Sequence, residues 1–190
     1  MSKTFEGAVF TQLNVEDYNA PNDGSKFVRR DFYKDPSVYH SVFLPYAQCS
    51  DVYVPCHFWD AKAPFIFTRE DAKRTDFKLK LVADISCDID CAVASTIRPS
   101  TIQNPLYGYN PITESEIDFM DEAAIGVMAV DNLPCELPRD ASADFGAELI
   151  KHIMPSLLVA DTDGIIKRAT IAQNGQLCKD FLYLSDFVNG

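Results

Sequence analysis

From Phe77 to Asp90 the chain reads FKLKLVADISCDID, and from Gly126 to Asp140 it reads GVMAVDNLPCELPRD. In each stretch a run of branched apolar residues gives way to carboxylates. A nearly continuous apolar run suits a strand buried on both faces, so the two stretches predict parallel strands of an α/β sheet whose carboxyl ends open onto a ligand crevice. Elsewhere the pattern predicts a strand over Gly7 to Leu13, and a short extended piece over Phe27 to Arg30 ending at Asp31. Asp35-Pro36 sets an N-cap before proline, which predicts a helix to about Tyr46 that buries Val38, Val42, Phe43 and Tyr46. A strand over Asp51 to His57 follows. Thr68-x-x-Asp71 then reads as the capping box of a short helix, which returns the chain to a strand over Leu79 to Ile85.

Residues 91–125 read as mostly irregular, with turns at Pro99, Pro105, Gly108 and Pro111 and a helical stretch around Glu114 to Glu122. A helix is predicted from about Asp140, as its cap, to Leu158, with Phe145, Leu149, Ile153, Met154 and Leu157 on its apolar face. A strand from Ile165 to Ala172, an Asn174-Gly175 turn and a closing helix through Phe187 complete the reading.

At 190 residues and 47% apolar composition the chain can build one ordinary domain or two small lobes. The net charge of −11, with dispersed basic residues, argues against a nucleic-acid partner. MSKTFEGAVF has no signal-peptide core and no apolar run reaches the length of a membrane span, so the sequence reads as a cytosolic protein with no membrane partner. Six irregularly spaced cysteines then read as reduced thiols, and Cys87-x3-Cys91, without a second ligand pair, reads as no metal site.

Three carboxylates, Asp84, Asp88 and Asp90, follow one buried strand. Such a group binds a metal, holds a substrate ammonium, or simply caps and solvates a loop. Asp131 ends a separate strand, and the fold class brings it toward the first group, where a carboxylate can orient a ribose, an amide or an amine. His57 ends a third strand beside Cys56 and Trp59, a place that suits acid–base work, although a lone histidine there is more often structural. Tyr107-Gly-Tyr109 suits stacking on a planar ligand or packing over a core edge. No glycine-rich loop joins a strand to a helix anywhere in the chain, so the usual pyrophosphate cradle is missing from it.

Taken in order, FxxDFYKDP, SDVYVPCHFWDAKAP, VADISCDID, STIxxPxYGY, VDNLPCELPRDAS and ATIAQNGQL resemble the saccharopine dehydrogenase and lysine-ketoglutarate reductase family, related to alanine dehydrogenase and the nicotinamide nucleotide transhydrogenases. The resemblance covers nearly the whole chain and implies only a carboxyl-terminal half. The expected fold is a partial Rossmann-like parallel sheet with helices on both faces, plus a returning C-terminal α/β segment of the substrate domain. Residues 1–130 would be the later part of the NAD(P)-binding domain and 131–190 the returning segment, which accounts for the absent glycine loop.

The resemblance implies reversible reductive amination, in which lysine and 2-oxoglutarate form an imine that is reduced by hydride, with NAD or NADP and without metal. It matches Asp31, at a strand end, and nearby Asp35 to the adenosine ribose site, although Arg29 and Arg30 would equally favour a 2′-phosphate. It matches Phe58, Ile85 and the segment Val130, Asp131, Asn132 and Leu133 to cofactor contacts, and Ser86, Cys87 and Asp88 to the substrate side, with Asp131 as the catalytic residue. The family's acid and base residues fall in the missing half. The contrasting expectation is a non-catalytic module that uses the apolar surface left open by that half for a partner or a second copy; an alanine dehydrogenase-like enzyme and an inert truncated product are further alternatives.

Overall fold

The computed structural model describes residues 6–189, so part of the opening MSKTFEGAVF lies outside the described residues. The chain divides into two compact units, Met1–Leu133 and Pro134–Gly190. In the first come α1 (Val15–Tyr18), β1 (Asn19–Pro21), α2 (Arg29–Lys34), β2 (Tyr39–Ser41), α3 (Leu44–Ala47) and β3 (Val52–Tyr53). They are followed by α4 (Arg69–Ala72), β4 (Leu81–Ala83), β5 (Leu106–Asn110), β6 (Ser115–Ile117) and β7 (Ile125–Met128).

The main sheet has the order β3-β4-β7-β5-β6. The apolar runs after Phe77 and around Gly126 form β4 and β7, paired in parallel with Val82 opposite Val127, and both valines are fully buried. Strand β3 adds to β4 in parallel. The fold is α/β as expected, but the sheet is mixed: β5 runs antiparallel to both β7 and β6. Phe43, Ala47, Phe67, Val93, Tyr107 and Tyr109 close the core around the two valines. Full burial of each large apolar side chain contributes about 1.5–3 kcal/mol. Tyr107 and Tyr109 therefore belong to the core, the packing alternative of the two that the sequence left open.

Several expected elements are different, for local reasons. Gly7 to Leu13 forms no strand. Phe27 to Arg30 is not an extended piece that carries Asp31 at its end, because Arg29 already begins α2. The helix expected from Pro36 to Tyr46 is a single 3-10 turn, Pro36–Val38, capped by the Asp35 carboxylate, which accepts from the Ser37 amide and hydroxyl. Tyr39–Ser41 instead pairs antiparallel with β1, and the buried Tyr39 ring packs edge-on against Phe32 at 5.0 Å between centroids. Pro45 would also have disrupted a longer helix. The capping box at Thr68 and Asp71 forms as read, opening α4. Strand β3 stops short of His57 because Pro55 has no amide to give a ladder.

Residues 91–125 hold more regular structure than the sequence suggests. The helix expected around Glu114 to Glu122 is instead the turn into β6, since Glu114 takes a φ of 53° that a helix does not allow. Its carboxylate is held by Arg69 at 2.9 Å and Lys73 at 2.6 Å. The Asn110 side chain completes the turn by accepting from the amides of Ile112 and Thr113.

The second unit holds α5 (Pro138–Glu148), a π-helical turn over Leu149–Ile153, α6 (Met154–Leu158), α7 (Ile165–Ala169), β8 (Ala172–Gln173), β9 (Gln176–Leu177) and α8 (Ser185–Asn189). The long helix is present, but it starts at Pro138, and Asp140 lies in its first turn rather than capping it. The strand expected from Ile165 to Ala172 is mostly α7: the Asp161 carboxylate accepts from the amides of Ile166 and Lys167 and starts the helix. Asn174 and Gly175, at φ 54° and 78°, make the β8–β9 turn in the paired left-handed geometry that such hairpins need.

Candidate functional site

The carboxyl ends of β3, β4 and β7 stand side by side, because these three strands are consecutive and parallel. The connections beyond them are tied together by backbone bonds. The Ile85 amide donates to Pro55 O at 3.0 Å and the Asp84 amide to Met128 O at 2.7 Å. Beyond β7, the Ser100 amide donates to Ala129 O at 2.8 Å while the Ser100 hydroxyl accepts from the Ala129 amide. Val130 is buried and anchored there, whereas Asp131 and Asn132 beyond it are exposed and Leu133 is half-buried.

The Asp84 carboxylate ends β4 and is 1% exposed. Its Oδ1 accepts from the Ser86 amide (3.0 Å), the Ser86 hydroxyl (2.7 Å) and the Cys87 amide (3.1 Å), and its Oδ2 accepts from the Thr96 hydroxyl (2.7 Å). Cys87 sits at φ 55° in the turn so formed. Burial pushes the Cys87 thiol up, with smaller contributions from Asp84, Asp131 and Asp88, so it is held as the thiol and is a poor nucleophile at neutral pH. Carboxylates beyond both β4 and β7 thus contribute to the field at the Cys87 thiol. Asp90 is turned to another use, an ion pair with Arg69 at 2.9 Å. Among the described residues no three His, Cys, Asp or Glu side chains gather as metal ligands.

The Cys56 to Asp60 segment, beyond β3, walls a cavity of about 410 Å3 together with Tyr18, Asn19, Phe32 and Tyr33. The Nε2 atom of His57 is buried without a hydrogen-bond partner among the described residues, as is Oδ1 of Asn19. Burial lowers the His57 pKa below the usual 6.5 against a weaker upward pull from Asp84 and Asp88. A base so depressed stabilises the fold above the unfolded pKa of about 6.5, and that contribution is lost as pH falls toward the folded value. The urea midpoint followed by Trp59, the single tryptophan, is therefore expected to fall between about pH 7 and pH 5.5. In His57→Leu that fall should be smaller, and an identical pH profile would remove His57 from the account.

Phe58, Ile85, Ser86, Cys87, Asp88 and Val130 to Leu133 thus all lie on the loops at one end of the parallel strands. Phe58 is 91% exposed and Ile85 is partly exposed there. Asp31 and Asp35 are placed otherwise: Asp31 is exposed on α2, beside Arg30, and Asp35 caps the turn after it. The arginine next to them, Arg29, is engaged by both oxygens of Glu16 at 2.8 and 2.7 Å. The sequence reading passed over Thr96, Ser100 and Asn19, all buried polar residues; the Ser95-Thr96 pair directly after the apolar Ala92-Val93-Ala94 was the available signal.

No family model matches the chain. It is 29% identical to the alpha-aminoadipic semialdehyde synthase of Arabidopsis thaliana, an alignment that takes in 94% of this chain and 17% of that protein. It is 24% identical to the mitochondrial protein of the same name from Bos taurus over 78% of this chain and 18% of the relative. The saccharopine dehydrogenase [NAD(+), L-lysine-forming] of Schizosaccharomyces pombe is 31% identical over 57% of this chain and 27% of its own length. The alignments span only about a sixth to a quarter of the length of these curated relatives. The chain is thus similar to one segment of proteins named alpha-aminoadipic semialdehyde synthase and saccharopine dehydrogenase.

Proposed function

We propose that this chain is the carboxyl-terminal portion of an NAD(P)-dependent amino-acid dehydrogenase that forms or cleaves saccharopine. The observation that carries the reading is the set of three adjacent parallel strand ends, bearing Asp84, Ser86, Cys87, Asp88 and Asp131, in a chain aligned over 94% of its length with a semialdehyde synthase. Ligands of open α/β sheets bind outside such ends. The nicotinamide end of the cofactor is assigned to an exposed Phe58, a partly exposed Ile85 and the Val130 to Leu133 segment, all of which follow the ends of the three parallel strands. They do not supply a pyrophosphate cradle, since no glycine-rich loop is present.

When bound, the cofactor supplies or accepts hydride. Asp131 would set its carboxylate against the cationic nitrogen of the substrate, and Ser86, Cys87 and Asp88 would position the amino acid. Residues 1–130 would complete the nucleotide domain and 131–190 the substrate domain. Near α2, Arg29 is already paired with Glu16 and Arg30 lies beside Asp31, so neither guanidinium is left without a carboxylate for a 2′-phosphate. This favours NAD, the cofactor named for the Schizosaccharomyces pombe relative.

The test is nicotinamide-linked turnover by the intact protein with saccharopine, with lysine plus 2-oxoglutarate, and with alanine plus pyruvate, using Asp131→Ala as the control. Turnover with the first two supports the reading, turnover only with the third moves it to an alanine dehydrogenase-like enzyme, and none at all defeats it. A non-catalytic role is favoured by one feature: β3 is an edge strand among the described residues, and Val52 on it and Val54 just beyond it are exposed. It predicts a stable self-associated or partner-bound form of this chain that has no turnover.

A further inference from the structure

The four hydrogen bonds on Asp84 have a purpose beyond ending a strand. Three go to the turn that immediately follows β4, and the fourth crosses to Thr96, twelve residues on. Thr96 closes the loop a second time, because its carbonyl accepts from the Asp90 amide at 3.0 Å. One buried carboxylate therefore holds both ends of the segment from Ile85 to Thr96. Within it, Cys87 and Asp90 adopt φ values of 55° and 50°, which non-glycine residues take only when their surroundings impose them.

We propose that Asp84 is a positioning residue, whose carboxylate fixes the Ile85 to Thr96 loop so that Ser86, Cys87 and Asp88 meet the amino-acid substrate. The proposal rests on the dehydrogenase reading for what the loop contacts, but the hold on the loop is a property of this chain alone. Asp84 itself is too buried to touch substrate, so it acts through the residues it orders. Its loss should be felt chiefly on the substrate side of the site: Ile85, the one cofactor contact within the loop, keeps its amide bond to Pro55 O, and the Val130 to Leu133 segment follows the separate anchor at Ser100.

Two substitutions separate positioning from bulk stability. Asp84→Ala strips the Ser86 and Cys87 amides and the Thr96 hydroxyl of their acceptor. Asp84→Asn keeps Oδ1 for the first turn and offers an N–H to the Thr96 hydroxyl, which can also accept. In the intact enzyme Asp84→Ala is expected to raise KM for the amino-acid substrate by about tenfold or more, as a lost buried hydrogen bond would. KM for the nicotinamide cofactor should stay within about twofold, and Asp84→Asn should bring the substrate KM back to within about threefold of wild type. Equal rises in both KM values, an unchanged substrate KM, or an asparagine variant as impaired as alanine would each overturn the proposal.

Hydrogen exchange on the 190-residue chain gives an answer independent of turnover. Asp84→Ala should lower protection of the 85–96 amides by about tenfold or more while β5 keeps its protection. A uniform loss, or none, overturns the hold on the loop. If Asp84→Ala does not fold, the near-isosteric Thr96→Val removes the Oδ2 contact and should give the same local pattern more weakly. Absence of turnover in the wild-type protein would defeat the dehydrogenase reading, and exchange would then decide the role of Asp84 in the loop.

Discussion

Gly108→Ala is expected to destabilise the first unit by about 2–3 kcal/mol, a typical cost of overpacking. Gly108 is in the middle of β5, paired to Ile117 on one side and to Gly126 on the other. A Cβ there would lie 2.5 Å from Asp118 O and 2.8 Å from the Ala124 Cβ. The first of these is backbone, so the clash is relieved only by moving the turn from Asp118 to Ala124. That turn is itself pinned over the sheet, because a Cβ on Gly126 would meet the Phe119 ring at 2.5 Å. The facing glycines thus let the turn lie directly on the strands. Urea unfolding followed by Trp59 measures the loss, and Gly146→Ala, at an α5 position with nothing within 4 Å, is the control. Because Gly146 belongs to the second unit, its substitution should leave the Trp59 midpoint unchanged. Equal midpoints for Gly108→Ala and wild type would show that the turn gives way freely.

The two glycines also mark what the sequence could and could not reveal. Gly108 reads as a turn residue between Pro105 and Pro111, yet it is the centre of a strand; its role depends on atoms brought there by a different segment. The two apolar runs were legible because continuous burial leaves a local imprint that needs no knowledge of neighbours, and β4 and β7 are parallel partners as read. Asp35 and Thr68 were legible as caps for the same reason. Failures occur where a long-range partner outweighs local preference. Tyr39–Ser41 leaves a helical pattern to pair with β1, and Glu114 leaves another to meet Arg69 and Lys73. Asp161 turns a branched apolar run into α7 through its carboxylate.

For the site, the gathering of Ser86 to Asp88 and Asp131 followed from the order of buried strands, whereas the position of Asp31 did not. It depended on the chain being extended up to it, and α2 begins two residues earlier. No pattern of apolar spacing could have shown that Asp84, one of three neighbouring carboxylates, is the buried and fully engaged one. That distinction came from Thr96, a residue that drew no attention in the sequence.

If the proposed dehydrogenase function holds, Asp131→Asn in the intact protein is expected to lower kcat/KM by about a hundredfold or more, the scale on which a single preorganised electrostatic contact acts. The strand end before it is rigid, since Val130 is buried and Ala129 is bonded through both its amide and its carbonyl to Ser100. The carboxylate emerging from that anchor is exposed, so little stability should change when its charge is removed, and unfolding midpoints of variant and wild type should agree. Under the dehydrogenase reading the substrate nitrogen is cationic in the amine and in the protonated imine, and a fixed negative charge favours both over neutral competitors. Asparagine keeps the size and hydrogen-bonding reach but not the charge. Asp131→Glu keeps the charge on a longer stem, and should recover part of the rate if charge is what matters. A neutral asparagine variant with more than about a third of wild-type kcat/KM would instead mean that Asp131 only closes the β7 turn.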